Sequence, residues 1–155
     1  MEQDKIFLKK AIEQAKKSLD KEGFPAGAVL VKDGSIISEG ISIGNLLNDP
    51  TEHSETSAIK KACKKLATTD LSNCVLYCTL QPCLMCFSTA NWAQISKIVY
   101  GCQKTDEMTN KNYYEGLNKL EEINEKNNHH IELQFISDFE NEILDIIRTW
   151  ENKNN

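Results

Sequence analysis

The sequence predicts a three-layer α/β domain, a sheet with helices on both of its faces. Three observations lead there. Segments of helical and strand periodicity alternate in the order αββαβαβαβα, an order that buries a sheet between helices. An Asp33-Gly34 pair between two apolar runs signals a tight hairpin early in the chain. Two later helices, opening near His53 and Cys83, each follow a strand. With 155 residues the chain fits one domain, 1–155, and is long enough to bury a core.

The elements follow in order. Between Lys5 and Leu19, the residues Leu8, Ala11, Ile12, Ala15 and Leu19 recur at the spacing of a helix with one buried face. Lys21-Glu22-Gly23 ends it. Ala28–Val31 and Ile36–Ile37 are the two arms of the hairpin. Ser42 to Pro50, rich in Gly, Asn and Asp, reads as a loop. A second helix runs from near Thr51 to Leu66 and buries Ala58, Ile59, Ala62, Cys63 and Leu66. Cys74 to Leu80 is a compact apolar strand. Pro82 stands where helices start, so a helix follows from Cys83 to about Ala93. Lys97–Gly101 is a strand, Tyr113–Lys126 is helical, and His130–Ile136 is another strand. Ser137 and Glu140 have capping-box spacing and open a last helix, with Phe139, Ile143, Ile146, Ile147 and Trp150 on one side. The polar tail Glu151–Asn155 is expected to fray.

Composition narrows the function classes. The chain is 40% hydrophobic and 26% charged, as ordinary globular proteins are. Its formal net charge of -5 offers no overall positive field for a polyanion, which argues against a nucleic-acid partner. No apolar run approaches the roughly 18 residues of a membrane span. The first twenty residues mix Lys and Glu among apolar side chains, unlike an export signal. A cytoplasmic location follows as an expectation. There the cysteines bind metal or stay free rather than form disulfides. Cys63, Cys74, Cys78 and Cys102 fall on apolar faces or in strands and read as core residues.

Cys83 and Cys86 are different. Three apart at the start of a helix, their thiols face the same way. His53-Ser54-Glu55 opens the other helix. One imidazole and two soft thiolates suit Zn²⁺, and three protein ligands leave a fourth position open, as in catalytic rather than structural zinc sites. Helix N-termini favour thiolate over thiol. Zinc lowers the pKa of bound water to about 7, and a proton carrier must stand beside it. Glu55, two residues past His53, is that carrier. Read singly, a Cys-x-x-Cys pair is often structural, a lone His often a cap, and a first-turn Glu a response to the helix dipole. His-x-Glu followed 30 residues on by Pro-Cys-x-x-Cys is the signature of hydrolytic zinc deaminases.

On these residues the chain resembles the cytidine and deoxycytidylate deaminase superfamily, from about Phe7 to Gly101. Asn48-Asp-Pro-Thr-Glu-His-Ser-Glu55, Ala58-Ile-Lys-Lys-Ala-Cys63 and Asn91-Trp92-Ala93 are similar to its bacterial guanine deaminase branch. The resemblance implies a mixed five-stranded sheet, one Zn²⁺ per chain on His53, Cys83 and Cys86, Glu55 as proton shuttle, and a homodimer. It implies a small amino-heterocycle as substrate, guanine first, then a cytosine-type base or nucleoside, then tRNA adenosine. An inactive zinc-stabilised binding module is the non-enzymatic alternative.

The resemblance places Trp92 near the substrate, Asp106 after a strand end that contacts it, and residue 42 against the base. Phe24, Tyr113, Tyr114 and Trp150 are further aromatic candidates for the pocket wall. Four positions depart from the pattern. Ser42 stands where the family commonly has Asn, and a hydroxyl cannot offer an amide's separate donor and acceptor. Pro25-Ala26-Gly27-Ala28 replaces a bulkier segment, Gln81 a frequent Glu, and Ser54 a usual Ala.

Overall fold

The structure is a computed structural model and describes residues 2–154. Helix α1 (Glu2–Asp20) leads into strands β1 (Phe24–Lys32) and β2 (Ser35–Ser42). Asp33 and Gly34 both adopt positive φ, 50° and 76°, the backbone a two-residue hairpin turn requires. Then come the short helix α2 (Gly44–Leu47), α3 (Ser54–Leu66), β3 (Cys74–Cys78), α4 (Leu84–Trp92) and β4 (Lys97–Tyr100). The chain finishes with α5 (Asp106–Asn110), α6 (Leu120–Lys126), β5 (Glu132–Phe135) and α7 (Glu140–Lys153).

The strands form one mixed sheet in the order β2-β1-β3-β4-β5. β1 pairs antiparallel with both β2 and β3, while β3–β4 and β4–β5 are parallel. Strand alternation divides the core between two faces. Ala28, Leu30, Leu76, Cys78 and Ile98 meet residues of α3, α4 and α6 on one face. Val29, Val31, Tyr77 and Val99 meet α1 on the other. Ile143, Ile146 and Ile147 of α7 pack with Ile12 of α1 on that second side. This is the three-layer fold with helices on both faces.

Two contacts fix the layers. Gly40 of β2 lies so close to α3 that a Cβ there would stand 1.9 Å from the Ser54 carbonyl oxygen and 2.8 Å from the Ala58 nitrogen. The β1–β2 register shifts between Phe24 and Gly27, a bulge that bends the strand where it approaches the site.

Several boundaries differ from expectation. Residues 111–119 are not helical: α6 begins only at Leu120, and an extra turn, α5, precedes it. The Ser42–Pro50 loop holds one helical turn, α2. The Ser137–Glu140 capping box does not form. Ser137–Phe139 is a 3₁₀ turn, and the residue preceding α7 is Phe139, which makes no side-chain cap. The 151–155 tail does not fray over its described part, since α7 runs to Lys153; Asn155 lies outside the described residues. Glu151 holds that end, as shown below. Cys74, Cys78 and Cys102 are buried and Cys63 is half-buried, all as free thiols. Among the described residues no helix is long and apolar enough to cross a membrane.

Gly40→Ala must push α3 away from the sheet by backbone movement. A loss of about 1–3 kcal/mol is expected, read as a lower denaturation midpoint. Away from the site, the Asp4 carboxylate accepts a hydrogen bond from the Tyr77 hydroxyl at 2.6 Å and lies 3.4 Å from Lys97 Nζ. Burial raises its pKa, but these two partners outweigh burial and hold it below the ordinary carboxylate value. A depressed carboxylate stabilises the fold above its unfolded pKa and stops doing so as pH falls through the folded value. Asp4→Asn is therefore expected to cost about 1 kcal/mol at neutral pH. Denaturation curves should show that difference closing as the pH is lowered through the Asp4 titration.

Candidate active site

The site lies at the carboxyl ends of the parallel strands, where open α/β sheets receive their ligands. His53 immediately precedes α3 in extended conformation, and Cys83 precedes α4 in the same way. Thr56 pins the first of these starts. Its Oγ1 accepts from the His53 backbone N–H at 2.9 Å and donates to the Thr51 carbonyl at 2.5 Å. The His53 side chain is thereby aimed across the sheet edge at α4.

His53 Nδ1 lies 3.4 Å from Cys83 Sγ and 3.5 Å from Cys86 Sγ. The three ligand atoms all lie within 4.8 Å of one another. A tetrahedral zinc with ordinary Zn–S and Zn–N bonds sets each S···N edge at about 3.6 Å. The donor set and its spacing therefore fit zinc. The local electrostatics point the same way. Hydrogen bonding from the Cys86 thiol, helped by His53 and opposed by burial, lowers Cys83 to about 6. Its hydrogen bond to Cys83, together with burial, pushes Cys86 up. The Cys83 contact raises His53 against the effect of burial. A thiol already inclined to ionise, a second thiol and an imidazole so arranged converge as the soft donor set that a zinc ion takes.

Glu55 is buried at 6% exposure on the first turn of α3. Burial, with Cys83 nearby, raises its carboxyl to about 7, partly offset by hydrogen bonding from Ser54 and by His53. The Ser54 hydroxyl donates to Glu55 Oε1 at 2.5 Å. Ser54, one of the departures from the family pattern, thus fixes the rotamer of the carboxylate.

A cavity of about 250 Å³ opens above Glu55, His53 and Cys83. Phe24, Tyr113 and Trp150 form one wall, in edge-to-face contact with centroids 5.1–5.9 Å apart. Ser42 and Ala26 line the cavity from the hairpin, as do Gln81 and Tyr114 from the loops after β3 and α5. The Tyr114 hydroxyl donates to the Gln81 carbonyl at 2.7 Å. Ser18 of α1 ties the hairpin edge together: its hydroxyl lies 2.6 Å from the Phe24 carbonyl and accepts from the Ser42 N–H at 3.1 Å. At the mouth, the Tyr113 hydroxyl donates to Glu151 of α7, which also pairs with Lys111 at 3.0 Å.

Of the residues expected at the site, the structure brings His53, Glu55, Cys83, Phe24 and Ser42 to the cavity, with Cys86 beneath. It does not bring Trp92 or Asp106 there. Trp92, at the end of α4, is 83% exposed and lines no wall of the cavity. Asp106 opens α5 as an exposed first-turn residue, also away from the cavity. α4 carries its first turn to the site and its last turn away, and α5 turns the chain outward after β4. Sequence reasoning missed Ser18, Asn112, Lys111 and Glu151. Asn112, with φ 65°, sits in a turn without periodicity, so only its proximity to aromatic residues hinted at a pocket loop.

Comparison with known proteins gives this geometry a lineage. Guanine deaminase of Bacillus subtilis is 44% identical over 101 residues, covering 64% of this chain and 65% of that protein. The tRNA-specific adenosine deaminase of Aquifex aeolicus is equally similar, 44% over 94 residues, covering 61% and 62%. These matches span less than two thirds of either relative. The structure of a guanine deaminase from Nitrosomonas europaea superposes with a TM-score of 0.82 over 94% of this chain and 83% of that one, at 20% identity, which is a likeness of fold. The family model for the cytidine and deoxycytidylate deaminase zinc-binding region matches residues 1–102, the stretch that contains His53, Glu55, Cys83 and Cys86. The chain belongs to the cytidine and deoxycytidylate deaminase family.

Proposed function

We propose that this protein is a zinc-dependent aminohydrolase that replaces an exocyclic amino group of a small heterocycle with oxygen, with guanine as the first substrate. The observation that carries this reading is the buried Glu55 carboxyl beside the converging His53, Cys83 and Cys86, at the floor of a cavity sized for one base. In this reading those three residues are the zinc ligands, and zinc when bound supplies the Lewis acidity that makes water a nucleophile at neutral pH.

The protein's own groups do the rest. Phe24, Tyr113 and Trp150 offer an aromatic wall to a planar ring and exclude water from it. Glu55 takes a proton from the attacking water and delivers it to the ring nitrogen. Glu55 then takes the remaining proton from the new hydroxyl and passes it to the amine, the C–N bond breaks as the C=O forms, and ammonia departs, so one water is consumed and one ammonia released per oxo product. A carboxyl raised to about 7 by burial is suited to both taking and giving a proton. Ser54 keeps one of its oxygens engaged while the other faces the cavity's chemistry.

Sequence likeness to a guanine deaminase and to a tRNA adenosine deaminase is equal, so the preference for a small substrate rests on the surroundings of the cavity. The cleft continuing past Ser42 and Trp150 is lined by Glu22, Asp49 and Glu52, and the one past Met85 by Glu115. Neither carries a lysine or arginine among the described residues. Lys111, at the cavity, is paired with Glu107 and Glu151. A polynucleotide needs cations along its phosphates. These acidic clefts favour an uncharged small molecule.

The test is ammonia release by the zinc-loaded protein on guanine, adenine, cytosine, their nucleosides and aminotriazines. Guanine should lead. Glu55→Ala should lower turnover by about 10²-fold or more while retaining zinc. Zinc removal by chelation should abolish turnover and zinc return should restore it. Silence on every small substrate, with tight and salt-sensitive tRNA binding, would replace this reading with the tRNA one. Silence with zinc bound and no tRNA affinity would leave a non-catalytic zinc module.

A further inference from the structure

The helix that begins at Cys83 has no cap of its own. Helix N-termini leave backbone N–H groups without intrahelical partners, and the residue before the helix usually satisfies one with a side-chain oxygen. Here that residue is Cys83, whose side chain makes no capping bond because its sulfur is turned to His53 and Cys86. With that sulfur committed to the cluster, the N–H groups of Leu84 and Met85 need another acceptor. Something else must satisfy those donors.

Glu115 does so from 30 residues away. The backbone N–H groups of Leu84 and Met85 donate to its two carboxylate oxygens at 3.1 and 3.0 Å. Both oxygens are thus engaged, one per donor, by the first two residues of α4. The neighbouring Tyr114 donates to the Gln81 carbonyl at 2.7 Å, just before Pro82 and Cys83. Residues 114 and 115 therefore clasp the Gln81–Met85 turn on both sides of Cys83. This clasp comes from the 111–119 loop, outside the 1–102 stretch that matches the family.

We propose that Glu115 is a positioning residue for the metal site. It supplies from a distance the N-cap that Cys83 gives up as a ligand, and so holds Cys83 and Cys86 in register with His53. Its negative charge beside the cluster further favours a bound cation. The inference rests on the reading that His53, Cys83 and Cys86 hold zinc, and it deepens that reading by making metal retention depend on the C-terminal part of the chain. Groups that orient metal ligands from behind typically change metal affinity by about ten- to a hundredfold when removed.

The experiment measures zinc affinity by competition with a chromogenic chelator, on the full chain and on Glu115→Ala, Glu115→Gln and the exposed control Glu125→Ala. Thermal melts of the metal-free forms run alongside. Glu115→Ala is expected to weaken zinc binding about tenfold or more. Glu115→Gln, which keeps one acceptor and loses the charge, should fall between it and the unsubstituted chain, and Glu125→Ala should match that chain. The metal-free melts are expected to fall by the few degrees that loss of a helix cap costs, and a purely structural cap would show itself there alone, with zinc affinity unchanged. Zinc affinity of Glu115→Ala within about twofold of the unsubstituted chain overturns the inference. If Glu115→Ala does not fold, unchanged affinity in Glu115→Gln overturns it instead. Failure of the unsubstituted chain to take up zinc overturns the metal reading itself, and this inference with it.

Discussion

Two helix starts must meet at one point for this protein to have a site at all. His53 and Cys83 each end an extended segment and begin a helix, and they stand 30 positions apart with a strand between them. Their ligand atoms come within 3.4 Å only because α3 and α4 pack on the same face of the sheet, where Ala58, Ala62, Phe87 and Ala90 share one core cluster. The small residues on that face let the helices approach closely. Gly40 does the same between α3 and β2. Packing, not propensity, delivers the imidazole to the thiols, and the rest of the site is arranged around that meeting.

That arrangement has an electrostatic logic. Converging thiols, an imidazole and a buried carboxyl would repel or neutralise one another without compensation. Hydrogen bonding divides the roles, with Cys83 lowered and Cys86 raised, and Ser54 and His53 temper the rise that burial imposes on Glu55. The two clefts that adjoin the cavity past Ser42 and past Met85 carry acidic side chains and no lysine or arginine among the described residues. A cation is therefore favoured at the floor of the cavity, and a polyanion is disfavoured at its rim. The two preferences together support the proposed reaction on a neutral heterocycle.

The C-terminal third closes what the first two thirds open. Tyr113, Tyr114 and Glu115 reach back to the Cys83 turn and the cavity, and Trp150 and Glu151 of α7 complete the wall and latch it. The segment whose sequence resembles the family least is the one that shapes the cavity mouth. The converging ligand atoms and the wall of the cavity mouth are in this way supplied by different stretches of chain.

By itself the sequence determined the layered α/β fold and the hairpin, and it singled out the residues proposed to carry the chemistry. Helical and strand periodicities are local, Asp33-Gly34 suits its turn through backbone sterics alone, and a metal site requires side chains of particular donor type. His53, Cys83, Cys86 and Glu55 could be named for that reason. The 111–119 loop, the cap from Glu115, the Ser18 tie and the Tyr113–Glu151 latch were not legible, because each is a contact between residues distant in sequence with no period to announce it. Glu151, at the start of what reads as a fraying tail, is ordered by partners 38 and 40 residues away. Tertiary structure likewise decided that Trp92 faces outward although it shares a helix with Cys86. Six residues of helix turn a side chain well over one full revolution and carry it about 9 Å along the axis, so a motif can place one end of α4 at the site while packing sends the other to the surface.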